Sequence, residues 1–374
     1  MTILHCAPYF APAWAYGGTP RAVYELAKQQ AKSGHEVWVV TTDALSDTKR
    51  HSCKSEKKDG LTIIRLPNLS NYVSWKLHFS TPNFRHWPHD LPDFDLIHLH
   101  ETRSLLHLLV LKKVAASKVV LSPWGTLPYN NSKSTIKKLY DMVCLPWLRQ
   151  RVTMGIGQTT HEVAELKAFK LGQEQAVVPL GCELPPTKVP HTFAKEHNLP
   201  SDQKIVLFLG RFSALKGIKL LLESFAVVSR SNMMVHLCLV GRDDGFKVGM
   251  LELITKLKLS QRVTIIESIY SHDRFAAYKA ATLFVFTPIV FEETSTATLE
   301  ALTMGVPVLT TVQAEIPFLT YKDGVLMVKA TTAAVVKGLK KMLQEPSDVD
   351  RRYIKNTFSW SSVARQYTKL YHQS

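Results

Sequence analysis

The sequence predicts an α/β protein built from two doubly wound, Rossmann-like domains. Three observations predict it. Short apolar runs alternate with amphipathic helical patterns almost throughout, which argues for parallel sheets with helices on both faces. The series runs through twice, in two similar halves. A length of 374 residues suffices for two domains of ordinary size. A joint from Cys182 to Gln203 carries Pro185, Pro186, Pro190 and Pro200. The first domain is placed at residues 1–184 with a terminal helix at 358–374, and the second at 185–357.

In the first half, Thr2–Cys6 reads as a strand, followed by a long loop and a helix from about Thr19 to Ser33 that Gly34 ends. Glu36–Thr42 is the next strand. Asp43 to Gly60 is polar and charged and reads as a mobile loop; Leu61–Leu66 resumes as a strand. Asn71 to Asp90 mixes aromatics with Lys76, Arg85 and histidines. It fits either an exposed amphipathic element touching lipid or acceptor, or a loop whose rings pack on the core. Asp95–His100 is a strand, Leu105–Val114 a helix, Val119–Leu121 a strand and Ile136–Leu148 a helix. Gln158 opens a strand-to-helix turn, and Val177–Leu180 closes the sheet.

The second half places strands at Ile205–Leu209, Val235–Val240, Val263–Ile266, Leu283–Phe286 and Val306–Leu309. Its helices fall near Ile218–Val228, Lys247–Leu257, His272–Ala280, Ser295–Met304 and Thr332–Leu343, with a last one over Phe358–His372.

Hydrophobic content of 45% and charged content of 21% describe a soluble globular chain, not a disordered one. The five cysteines are scattered and odd in number, which favours a reducing compartment over a disulfide framework or a cysteine zinc site. No basic leader precedes Ile3 and Leu4, and no apolar run approaches the ~18 residues of a membrane span. A cytoplasmic protein is expected, at most peripheral at the cytoplasmic face of a membrane. The formal charge is +15, and between Arg103 and Arg151 nine Lys or Arg face one acid, Asp141. Solvated helix faces explain most such runs, and an anionic membrane surface or a phosphorylated acceptor is the sharper reading. Nucleic acid is not expected, because no recognised binding module accompanies the charge.

The stretch FTPIVFEETSTATLEALTMGVP, Phe286 to Pro307, concentrates the chemistry. An apolar strand delivers Glu292 and Glu293 to a loop. Thr294, Ser295 and Thr296 can then cap a helix that carries Glu300 and ends near Gly305. Free N–H groups at that helix start attract phosphate. By themselves Glu292 and Glu293 read first as residues that merely favour a helix N-terminus, and Glu300 as one exposed helical acid. Arg211 and Lys216, in LFLGRFSALKG, follow another strand, where ligands bind in open α/β sheets. Two cations beside a helix start are disfavoured by its dipole, so they point to an anion.

Together, G-R-x4-K-G and E-x7-E resemble the C-terminal half of retaining glycosyltransferases of family 4, which have the GT-B fold of two domains facing each other across a cleft. The resemblance runs the length of the chain. It implies a hexosyltransferase using a nucleotide-diphospho-sugar donor and a glycan or lipid-linked acceptor in surface polysaccharide biosynthesis, with no cofactor and no metal. Arg211 and Lys216 would neutralise the departing diphosphate, since fixed positive groups at developing charge lower the barrier most. Glu300 would accept hydrogen bonds from the ribose hydroxyls, and Glu292 would face the donor sugar. The usual Gly-Phe-Gly after the first Glu is replaced by Glu293, Thr294 and Ser295, which implies a reshaped sugar pocket.

In the first half, APAWAYGGTPRAVYELA resembles the family's glycine loop: Gly17 and Gly18 would let backbone approach a phosphate, and Arg21 would help an anionic acceptor. The DLIHLH string places His98 and His100 on one strand face, and His100 would contact acceptor or sugar. No third metal ligand is spaced near the two histidines. In LSPWGTLP, Trp124 stands where many relatives have His, exchanging a polar contact for a stacking surface. The rival readings are an epimerase or hydrolase on the same fold, in which carboxylates do acid/base work, and a basic membrane- or nucleic-acid-binding protein.

Overall fold

The computed structural model describes residues 1–88, 90–129, 134–231, 234–267, 269 and 273–373. Lys133 of the basic run and His272, where a helix is expected to start, lie outside them. The chain divides into two compact units, Met1–Gly181 with Trp360–Ser374, and Cys182–Ser359.

The first unit runs β1 (Thr2–Cys6), α1 (Thr19–Lys32), β2 (Glu36–Thr42), β3 (Ser55–Lys58), β4 (Leu61–Leu66), α2 (Asn71–Leu77), β5 (Phe94–His100), α3 (Leu105–Lys113), β6 (Ala116–Ser122), α4 (Ser134–Arg151), β7 (Met154–Gly157), α5 (Thr160–Ala168) and β8 (Glu174–Val177). Its sheet has the order β3-β4-β2-β1-β5-β6-β7-β8. Every described pairing is parallel except β3 with β4. Alternation along β2 feeds two cores: Val40 packs with Leu99, Leu106 and Leu121, while Val37 and Val39 pack with Phe10, Val23 and Ile63.

The second unit runs α6 (Phe193–Glu196), β9 (Lys204–Leu209), α7 (Ile218–Ser231), β10 (Val235–Val240), α8 (Lys247–Lys256), β11 (Val263–Ile266), α9 (Arg274–Ala280), β12 (Leu283–Phe286), α10 (Thr296–Thr303), β13 (Val308–Thr311), β14 (Val325–Val328), α11 (Thr332–Gln344) and α12 (Arg351–Phe358). Its sheet, β11-β10-β9-β12-β13-β14, is wholly parallel. The last helix, α13 (Trp360–Gln373), belongs to the first unit, where the Gln30 amide on α1 donates to the Tyr371 hydroxyl at 3.3 Å.

In both sheets the strand order reverses beside the first strand, between β1 and β5 and between β9 and β12. The crevice at such a point, outside the carboxyl ends of the strands, is where open α/β sheets bind ligands.

Several elements differ from the sequence expectation. The loop expected over Asp43–Gly60 contains β3, a wholly polar edge strand fixed to β4 by the Arg65–Glu56 ion pair at 2.7 Å. Strand β7 reads MGIG and gives no apolar run: a Cβ on Gly155 would lie 2.9 Å from the Leu171 carbonyl. Strand β14 has only four residues. The strand expected at Val177–Leu180 lies earlier, at Glu174–Val177. That expected at Val306–Leu309 starts after Pro307, whose carbonyl still accepts from Phe284 N–H at 2.9 Å. The last helix expected over Phe358–His372 is α13, starting two residues later at Trp360; a further helix, α12, precedes it, and Ser359 between the two is extended.

Candidate active site

In the second unit, the loop after β9 and the loop after β12 meet over the reversal point. Gly217 has φ +69°, and a Cβ there would fall 1.6 Å from the Thr287 carbonyl, so only glycine permits this approach. Thr287 Oγ1 donates to the Gly217 carbonyl at 3.1 Å, and Ile289 N–H donates to the Leu215 carbonyl at 3.2 Å. The result is an ion pair across the crevice, with Lys216 Nζ 2.5 Å from Glu292 Oε2. Both side chains are about one-fifth exposed. The Lys216 ammonium also stands 5.4 Å above the Phe286 ring. Glu292 is held from behind, its N–H donating to the Gln313 carbonyl at 2.7 Å.

Arg211 lies in the same loop, half exposed, with Nη1 2.7 Å from Asp244. The adjacent Asp243 accepts from the N–H groups of Gly245, Phe246 and Lys247 at 2.9–3.0 Å, which orders the turn into α8. Those bonds, chiefly that from Lys247, hold the Asp243 carboxyl below its ordinary pKa. Ser295 precedes α10 without capping it through its side chain. Thr294 instead donates to the Glu315 carbonyl at 2.7 Å. Glu293 is partly exposed in this loop, and Thr296 is exposed at the helix start.

Glu300 is buried within α10. Arg274, at the start of α9, makes a forked contact with it, Nε to Oε2 at 3.0 Å and Nη2 to Oε1 at 2.9 Å. Nη2 also reaches Glu183 at 2.6 Å, and the Tyr278 hydroxyl donates to Glu300 Oε2 at 3.1 Å. Burial opposes the guanidinium charge, but hydrogen bonds and attraction from Glu300 and Glu183 outweigh it and raise the Arg274 pKa. Glu300 Oε2 accepts two of these bonds and Oε1 one, so Oε1 keeps a lone pair beyond them. Arg274 and Glu183 escaped the sequence reading. Neither sits in a motif with Glu300, and only the sheet order brings them together.

In the first unit, Gly17 has φ +110° and Gly18 directly precedes α1, and a Cβ on either would meet nothing within 4 Å. Arg21 stacks over Trp14, its guanidinium carbon 5.3 Å from the ring centre. His100 is fully buried, and both its ring nitrogens are engaged. In this arrangement it orients Trp124 rather than reaching a substrate. Trp124, at φ +55°, spends its polar edge on that contact, Nε1 donating to His100 Nδ1 at 3.0 Å, and is therefore more than a stacking surface.

A third histidine does lie beside His98 and His100. His5, from β1, completes a cluster whose ring nitrogens fall within 4.8 Å of one another. It went unseen because β1 and β5 become neighbours only in the sheet. All six ring nitrogens are bonded to protein groups, so no lone pair is left aimed at an ion. Tryptophan Nε1 can only donate, which fixes the direction of the whole chain. His100 Nε2–H donates to His5 Nδ1 at 2.8 Å, and His5 Nε2–H to the Gln30 oxygen at 2.7 Å. The Gln30 amide donates to Tyr371, Tyr371 to His98 Nδ1 at 2.7 Å, and His98 Nε2–H to Ser122 at 2.9 Å. Burial lowers all three histidine pKa values, His5 to about 4, so the rings are neutral.

Glu162 holds the Trp124–Gly125 turn from its other side, accepting from Gly125 N–H at 2.6 Å and Gln158 N–H at 2.7 Å. Burial raises its pKa to about 7 against those bonds. Glu101 follows β5 at the reversal point, with φ +67°. Burial lifts its carboxyl to about 7 as well.

Fold and crevices define a two-domain α/β protein of the GT-B class. Residues 191–360 match the family described as glycosyl transferases group 1, and residues 17–181 match the glycosyl transferase 4-like domain. The chain belongs to the group 1 glycosyltransferases and is a transferase of that kind. No curated protein matches it. Among solved structures, sucrose-phosphate synthase from Thermosynechococcus elongatus is 21% identical with TM-score 0.72, covering 100% of this chain and 98% of that one. A glycosyltransferase from Rickettsia africae is 18% identical with TM-score 0.71 at the same coverage. HepE of Anabaena, solved with UDP, is 13% identical with TM-score 0.73 over 100% of both chains.

Proposed function

We propose that this chain is a retaining hexosyltransferase that moves a sugar from a nucleotide-diphospho-sugar to a glycan or lipid-linked acceptor in surface polysaccharide synthesis, working at the cytoplasmic face of a membrane. The Lys216–Glu292 pair across the β9/β12 crevice carries the reading. In the transfer, the bond from the anomeric carbon to the phosphate oxygen breaks, and its electron pair leaves on the nucleoside diphosphate. The acceptor oxygen bonds to the same carbon and gives its proton to the departing diphosphate oxygen. Lys216 and Arg211 meet the charge on the diphosphate, and the uncapped start of α10 adds its dipole. Glu292 faces the cationic anomeric carbon, and Glu300, held rigid by Arg274, receives a ribose hydroxyl through Oε1.

HepE, of the same fold, has been solved with UDP, with UDP-glucose, and with UDP and glucose together, which supports a uridine donor. The first test is thermal shift with UDP-glucose: at ~100 times its dissociation constant a donor adds about 2.7 kcal/mol of stability. Glycosylated product from a panel of sugar acceptors is then expected, and loss of that product in Lys216→Ala. Release of free glucose and UDP with no glycosylated product would instead give the hydrolase reading.

A further inference from the structure

The structure assigns a membrane-docking face to the outer side of α4. Leu139, Met142 and Val143 are 60%, 71% and 67% exposed, and with exposed Pro146 they fall at i, i+3, i+4 and i+7, one stripe of the helix. The other side of α4 is already buried: Tyr140, Leu145 and Leu148 sit in the core of the first unit. A helix apolar on two sides has a second surface to cover.

Charge says what covers it. Exposed Lys138, Arg149 and Arg151 flank the stripe. Lys138 stands 5.8 Å over the Tyr129 ring, and Arg151 stands 5.5 Å over Trp147. Asp141, the sole acid between Arg103 and Arg151, is buried, paired to Arg103 at 2.7 Å and hydrogen-bonded by Tyr129 at 2.6 Å. No acid in that run is left to repel an anion. The segment from Leu69 to Phe84, with Leu69 at 67%, Tyr72 at 69% and Phe84 at 51%, also exposes apolar side chains, and its Phe79 packs edge-on against Tyr140 at 5.9 Å. Protruding aliphatic side chains with cations beside them are what an anionic lipid interface binds, burying the apolar stripe at the acyl boundary and pairing the cations with headgroups. Nucleic acid would take the cations and leave the stripe in water.

Lipid binding depends on the transferase reading only for its purpose. A chain that moved no sugar would still bind, so the two fail separately. The test is sedimentation of the full chain with vesicles of phosphatidylcholine plus phosphatidylglycerol, against phosphatidylcholine alone. Binding to the anionic vesicles only is expected, weakened at high salt. The triple change Leu139→Glu, Met142→Glu, Val143→Glu should weaken it by at least about tenfold. These side chains point to solvent, so the circular dichroism melt should not move. A chain that stays in the supernatant with anionic vesicles would overturn the assignment. So would a folded triple variant that binds as tightly as the parent.

Discussion

Lys216 and Glu292, seventy-six residues apart, meet at 2.5 Å over the point where the second sheet reverses its strand order. Without a ligand each neutralises the other. A diphosphate entering the crevice competes for the lysine, and the acid is then released toward the sugar. The two substitutions should therefore differ in kind. Lys216→Ala should weaken donor binding and transfer together, by about 10²-fold or more in transfer. Glu292→Gln should leave donor binding within a few fold and lower turnover. Calorimetry with the donor nucleotide beside product formation separates them, and equal losses of binding in both variants would refute the division of labour.

The Arg274 guanidinium is shared by Glu300 and Glu183. Removing it strands a buried carboxylate, so Arg274→Ala should cost about 3–5 kcal/mol of stability. Arg274→Lys supplies charge without the fork and should recover only part of this. Urea titration gives both values. A loss below ~1 kcal/mol would mean that the pair is already hydrated.

Much of this could be read in the chain itself. Leu283–Phe286 and Val235–Val240 fall where their apolar runs place them, because a fully buried parallel strand needs little besides such a run. Arg211, Lys216, Glu292 and Glu300 stood out because loop and helix positions after a strand are local features. His5, Glu162 and Arg274 did not, because only the fold of each unit sets them beside the residues they touch; Glu101 did not because, although it follows His100, a single acid at a strand end carries no pattern. Strand β7 was hidden for the opposite reason: its glycines are required by close packing and erase the apolar signal.

The buried histidines should make the first unit acid-labile. His5 and His107 titrate near 4 and His98 and His100 lower than usual, all through burial, against 6.5 when unfolded. Their contribution is present above pH 6.5 and is lost as pH falls toward 4, up to ~3 kcal/mol for His5 alone. Glu101 and Glu162 act in the opposite sense: raised to about 7, their contribution is full below 4.5 and lost as pH rises through 7. Four histidines outweigh two acids, so stability should rise with pH across 4 to 6.5. All seven tryptophans lie in the first unit, so their fluorescence reports it alone. A flat urea midpoint over that window would contradict the neutral-ring assignment.

Trp124 is held between His100 and, through Gly125, Glu162. Trp124→Phe keeps the ring and removes the indole N–H that sets the direction of the chain. His100 Nδ1 then loses its partner in a buried site, at a cost of about 1–3 kcal/mol. Glu162→Gln keeps one acceptor where the carboxylate offered two, and should loosen the same turn. If this turn serves the acceptor, both variants should raise the acceptor KM with donor binding unchanged, and Glu162→Gln should also flatten the pH dependence near 7. Variants that fold well and keep the parental acceptor KM would confine the network to stability.

Gly217 ties the ion pair to the backbone. A Cβ at φ +69° and 1.6 Å from the Thr287 carbonyl cannot be accommodated by a rotamer change, so the loop after β9 must move. Gly217→Ala should therefore cost several kcal/mol, beyond the ~1 kcal/mol of the left-handed backbone alone. It should also separate Lys216 from Glu292. Lys216→Ala removes the charge and leaves the loop in place, so its melt should stay near the parent while its donor binding falls. In Gly217→Ala both should fall. Parental stability and donor binding in that variant would mean that the two loops do not need their close approach to form the site.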